Sequence, residues 1–143
     1  MHSTRRLVLI AAVLAAAAPA FASPPPKEKA ESPEDKEVAR SVELGGLVFP
    51  VFNKTGKLEN YLFVNARMLV ADGKDPWKYR EKAHFIRDAV IRAAHKTSFN
   101  IKGDTKKLDE KLAAAECLKA ANAIIGEPGA LVSMTFTQIA SQQ

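Results

Sequence analysis

His84, His95, Asp88 and Cys117 are the side chains of this sequence whose types and spacing invite chemistry. His84 and His95 are eleven residues apart in a stretch with helical periodicity, which puts them on nearly the same side of a helix. Three turns separate them, roughly 16 Å, too far to share one metal ion. Asp88 follows His84 by four residues and faces it across one turn, a spacing commoner in helix surface electrostatics than in acid/base dyads. Cys117 falls in register with Ala113, Ala121 and Ile124 at steps of three and four. That pattern describes a small buried hydrophobe rather than a nucleophile, and no histidine lies near it in sequence. Gly45-Gly46 lacks the Lys-Ser/Thr continuation of a phosphate-binding loop and suits a bulge or bend. These residues lead us to expect no catalytic residue, no metal ligand and no cofactor, hence a protein that is not an enzyme.

A second kind of candidate is a contact surface. Tyr61 and Phe63 are two residues apart in an alternating segment, so they share the strand face opposite Leu62 and Val64. Large aromatics left exposed on a sheet mark partner sites, and Trp77 and Phe52 join them as candidates. The competing reading places Tyr61 and Phe63 beneath a loop or tether.

The elements that must position these side chains follow from periodicity. Val42 to Phe52 is rich in Val, Leu and Phe; Asn53-Lys54-Thr55-Gly56 supplies a turn; Leu58 to Val70 forms a second strand-like run. In that run Leu62, Val64, Ala66, Met68 and Val70 recur every two residues, giving one core face and one partly wet face. Pro50 cannot donate to a ladder, which sets the first strand at an edge or at a bulge. Asp75-Pro76 opens a helix expected to run from Pro76 to about Lys96. Ala83, Ile86, Val90 and Ala93 form its stripe, widened by Phe85 and Ala89. A second helix is expected to start at Asp104 or Thr105, to bury Leu108, Leu112, Ala115 and Leu118, and to stop at Gly126. From Leu131 to Ala140, Val132, Met134 and Phe136 alternate with Ser133, Thr135 and Thr137 as a last strand. The order strand, strand, helix, helix, strand gives an α+β fold in which two helices cover one face of a small, mainly antiparallel sheet. Pattern alone does not place the last strand in that sheet.

Ahead of this domain, residues 1–22 carry a basic head at Arg5 and Arg6, an apolar run from Leu7 to Ala18 and the small-residue ending Ala20-Phe21-Ala22. These are the parts of a secretory signal peptide, with cleavage expected between Ala22 and Ser23 and release into the periplasm. The run is shorter than the about 20 apolar residues of a span and is broken by Pro19, which disfavours a retained anchor. Thr4-Arg5-Arg6-Leu7-Val8-Leu9 also resembles a twin-arginine signal, so the export route stays open between the two systems. Losing Arg5 and Arg6 lowers the Lys plus Arg total from 21 to 19 against 16 Asp plus Glu, changing the formal charge from +5 to +3. That excess is too mild to argue for nucleic acid. Attraction to anionic lipid, worth about 1 kcal/mol for each Lys or Arg near a surface, leaves membrane association open. Residues 23–41 begin with Pro, Lys, Glu and Ser and are expected to form a flexible tether to a domain over 42–143. With one cysteine there is no intramolecular disulfide, and stability must come from an ordinary core.

The stretch from Gly46 to the C-terminus resembles the periplasmic domain of the flagellar basal-body protein FliL. Tyr61-Leu62-Phe63-Val64-Asn65-Ala66 looks like the strand after that family's hairpin, and Phe85-Ile86-Arg87-Asp88-Ala89-Val90-Ile91 resembles its helical segment, followed by Lys96-Thr97. Asn122-Ala123-Ile124-Ile125 is similar to the family's helix ending. Val132-Ser133-Met134-Thr135-Phe136-Thr137-Gln138-Ile139 is similar to its closing strand. The resemblance implies a stomatin-like domain that forms homo-oligomeric rings or partial rings around flagellar stator or basal-body components and supports motility without catalysis. It also implies that Arg87 and Asp88 form a polar fixture of the helix, holding either the fold or a neighbouring subunit. The family usually keeps an N-terminal membrane helix where this sequence has a cleavable signal. A related module acting in a non-flagellar envelope complex is therefore the alternative.

Overall fold

A computed structural model describes residues 32–142. The expected signal peptide, with Ala22 and Ser23, lies outside them. The chain divides into two units, Met1–Ala30 and Glu31–Gln143, and the second carries every element given below.

Strands β1 (Ser41–Phe52) and β2 (Leu58–Val70) form the expected hairpin, and β3 (Leu131–Ser141) lies antiparallel on the other side of β2. The sheet order is β1-β2-β3, so β1 and β3 are both edges. In the hairpin turn, Asn53 Oδ1 accepts hydrogen bonds from the backbone amides of Thr55 and Lys57, a side chain standing in for backbone partners. Along β2 the alternation holds: Leu62, Val64, Ala66, Met68 and Val70 are buried, and the residues between them are not.

Four helices complete the unit: α1 (Pro33–Ala39), α2 (Pro76–Arg80), α3 (Ala83–Lys96) and α4 (Glu110–Ile125). α3 packs along β1, α4 along β3, and the two helices pack on each other, so they cover one face of the sheet. Between helices and strands lies one core containing Leu47, Phe49, Leu62, Met68, Ile86, Val90 and Cys117. Phe49 and Phe99 meet edge to face in it, with ring centroids 5.3 Å apart. The fold is α+β, as the order of elements requires.

Several expectations are corrected in detail. Part of the expected tether is α1, started by a capping box in which Ser32 Oγ accepts from the Asp35 amide and the Asp35 carboxylate accepts from the Ser32 amide. No α1 residue is buried, which is why no apolar pattern announces it. The single helix expected from Pro76 breaks at Glu81 and Lys82. Tertiary anchors outweigh propensity there: Tyr79 is buried with its hydroxyl donating to Glu127, and Arg80 reaches the carbonyls of Ala39 and Ser41.

The cap of α4 is Asp109, whose carboxylate accepts from the Leu112 amide, and not Asp104 or Thr105. Residues 100–108 close a loop on themselves through a bridge between Asn100 and Leu108, with Asp104 capping the Lys106 amide inside it. The buried stripe of α4 is accordingly Ala113, Cys117 and Ala121 together with the preceding Leu108, whereas Leu112 and Ala115 are exposed and Leu118 is half-buried. Phe85, expected to widen the α3 stripe, is 53% exposed. In β3 an irregularity between Leu131 and Ser133 throws Val132 outward, 50% exposed, and leaves Leu131 and Met134 to fill the core.

Candidate interaction surface

The sheet face away from α3 and α4 carries Tyr61 and Phe63 on its central strand. Register puts Pro50 of β1 opposite Tyr61, and Val48 of β1 and Ala140 of β3 on either side of Phe63. Phe63 is 44% exposed, Tyr61 and Val48 are half-buried, and Ala140 is exposed. One half of the face is therefore apolar. It borders a shallow recess of about 230 Å³ lined by Gly46, Val48, Phe63, Asn65, Gln138 and Ala140.

The other half is polar and internally paired. Arg67 meets Glu43 at 2.6 Å, and Asn65 Nδ2 donates to Gln138 Oε1 at 2.8 Å. Asn65 Oδ1 also accepts from the Gly46 amide at 2.7 Å, fixing a bulge between Leu44 and Leu47. Gly46 sits there at φ +63°, where a side chain would be strained. From the other side, the Arg87 guanidinium donates to the Gly46 carbonyl at 2.8 Å. A side chain of α3 thus secures the strand edge that frames the recess.

The sequence candidates separate in space. Tyr61 and Phe63 lie together on the open sheet face, and Arg87 lies at the β1 edge. Asp88 points to solvent on α3, where it pairs with Arg92 one turn on rather than with His84. His84 lies against Phe85 with centroids 4.0 Å apart and ring planes tilted by 40°, and His95 Nδ1 donates to the Ile91 carbonyl at 2.8 Å. Cys117 is fully buried, and burial, with the Glu116 charge adding to it, pushes its thiol up to about 12. Trp77, on α2, is 67% exposed with the Arg80 guanidinium over its ring, while Phe52 is half-buried by the hairpin end.

Among the described residues no three His, Cys, Asp or Glu side chains stand close enough to hold a metal ion. Larger recesses lie elsewhere, among them one of about 600 Å³ beside the hairpin tip and Asn100, and one of about 480 Å³ between α3 and α4 with Ala89, Ala93, Ala120 and Ala123 in its walls. Val48 and Ala140 were not singled out from sequence; Pro50 was, as the mark of an edge strand, and β1 is an edge, with Pro50 itself buried. Counting back from the Asn53 turn sets Val48 across from Leu62; the irregularity between Val51 and Phe52 moves it to Phe63, and Ala140 needed the position of β3. No helix among the described residues is long and apolar enough to cross a membrane. No family model matches this sequence, and no curated protein matches it significantly.

Proposed function

We propose that this chain is a FliL-like, non-catalytic periplasmic protein that supports the flagellar motor by self-association and by contact with stator or basal-body components. The observation that carries the reading is the half-apolar sheet face around Phe63, which neither α3 nor α4 covers. A chain that spends its core on folding and keeps its candidate His, Asp and Cys side chains apart has surfaces, not a reaction centre, with which to act. The strand and helix order Gly46 onwards is that expected from the resemblance, and export by the segment ending at Ala22 delivers the domain to the periplasmic side. Stomatin-like assembly into rings would use the same surfaces.

The short apolar run from Leu7 to Ala18, ended by Pro19, favours the second reading, an assembly module of the same fold in a non-flagellar envelope complex. Deleting the gene and scoring both swimming and filaments separates the two. The first reading predicts flagellated cells that spread poorly in soft agar. Normal spreading by the deletion strain contradicts it and leaves the envelope reading.

A further inference from the structure

The two edges of the sheet are built differently. β1 is closed off along its length: Arg80 Nε donates to the Ser41 carbonyl at 2.9 Å, Arg87 to the Gly46 carbonyl at 2.8 Å, and Ser98 Oγ accepts from the Phe52 amide at 3.0 Å. It also carries the charged Glu43, the bulge at Gly45-Gly46 and Pro50, which has no amide to offer. These are the devices by which proteins blunt an edge strand against pairing.

Among the described residues β3 has one side-chain closure, besides irregularities at Val132 and Thr137. The Asn122 side chain accepts from the Leu131 amide at 2.9 Å and donates to the Leu131 carbonyl at 3.0 Å, imitating one residue of a further strand. Beyond Leu131, among the described residues, no side chain bonds the outer edge of β3. The sequence supplies no protection either, because no charged residue and no proline occurs from Gly129 to Gln143. A bulge at Thr137 divides the strand into Ser133–Phe136 and Gln138–Ser141, leaving two regular segments available for pairing.

Deepening the self-association just proposed, we infer that β3 pairs antiparallel with β3 of a second copy about a two-fold axis, forming one six-stranded sheet. Three features select a second copy as the occupant. A strand without charge meets itself in any register with no like-charge pair, so it is self-complementary. The capped β1 edge stops further strand addition, so extension of the sheet ends at two copies instead of growing as a fibre. Ala140 lies beside Phe63 in the sheet, so pairing through Gln138–Ser141 brings the apolar patches of the two copies toward each other on one continuous face. On the helix side, Asn122 identifies the flank of α4 that overlooks this edge. Leu118 and Ile125, four and three residues away and both half-buried, share that flank and would be covered further.

Sedimentation velocity on the purified full chain, over a concentration series, tests this. The wild type is expected to pass from monomer to dimer, and Thr135→Lys/Thr137→Lys, with both changes at exposed positions, to dimerise at least about 100-fold more weakly, since like charges across an interface cost several kcal/mol. Far-UV circular dichroism verifies that the variant is folded, and Ile124→Glu, on the opposite flank of α4, is expected to dimerise like the wild type. Three results would overturn the inference: a wild type that stays monomeric, a folded double-lysine variant that dimerises normally, or assembly abolished by Ile124→Glu alone. None of them depends on whether the protein serves flagella, which the deletion strain decides separately.

Discussion

Glu127 is the residue whose ionisation does most to hold distant parts of this chain together. Its carboxylate takes the Lys78 ammonium at 2.5 Å, the Tyr79 hydroxyl at 2.7 Å and Lys74 at 3.4 Å, tying the segment around α2 to the turn that leads into β3. The hydrogen bond from Lys78, then that from Tyr79, holds the Glu127 carboxyl down at about 2, and the same bond with burial pushes Tyr79 up to about 12. A carboxyl depressed in the folded state stabilises fully above its unfolded value near 4.3 and loses that contribution as pH falls toward 2. A phenol raised in the folded state behaves oppositely: its contribution is complete below about 10 and fades as pH rises toward 12. Glu127→Gln should therefore melt below the wild type at pH 7, with the gap closing between about pH 4.5 and pH 2 in thermal scans. A gap that stays constant across that window would show that the latch does not act through charge. Nothing in the sequence announced this residue, since its partners lie about 50 positions away and the pairing exists only after the chain has folded.

At the scale of elements, what the sequence made legible is what local periodicity controls. β2 could be read residue by residue, because an alternating strand with one dry face admits a single register. Helix boundaries were less legible: Asp104 and Asp109 are equally good caps in isolation, and the bridge between Asn100 and Leu108 decides between them. The stripe of α4 was misread for a different reason. This helix sets Ala113, Cys117 and Ala121 against the core and lets the larger Leu112 and Leu118 spread to the sides, so size did not track burial. The candidate surface divides in the same way: the shared face of Tyr61 and Phe63 was legible, while the neighbours from β1 and β3 that make it a patch were not. The loop before α4 contributes Phe99, fully buried against Phe49. Truncation of Phe99 to Ala should cost about 3 to 5 kcal/mol in denaturant unfolding, the range for a large aromatic removed from a packed site. A loss below about 1 kcal/mol would mean that the loop is not part of the cooperative core.

Among the described residues the sheet has one face covered by α3 and α4 and one that they leave open, one well-blocked and one less protected edge, and His84, Asp88, His95 and Cys117 do not converge. On this account its action lies in the open face around Phe63, and the groups that suggested chemistry are bystanders. Complementation of a deletion strain at matched protein levels tests that claim most directly. Phe63→Glu changes a side chain that is already 44% exposed, so its effect on stability should stay within about 1 kcal/mol while the apolar patch acquires a charge. The account predicts that Phe63→Glu fails to restore swimming, whereas His84→Ala, Asp88→Ala and Cys117→Ala restore it. Full swimming with Phe63→Glu, or its loss in a folded protein lacking one of those three side chains, would contradict it.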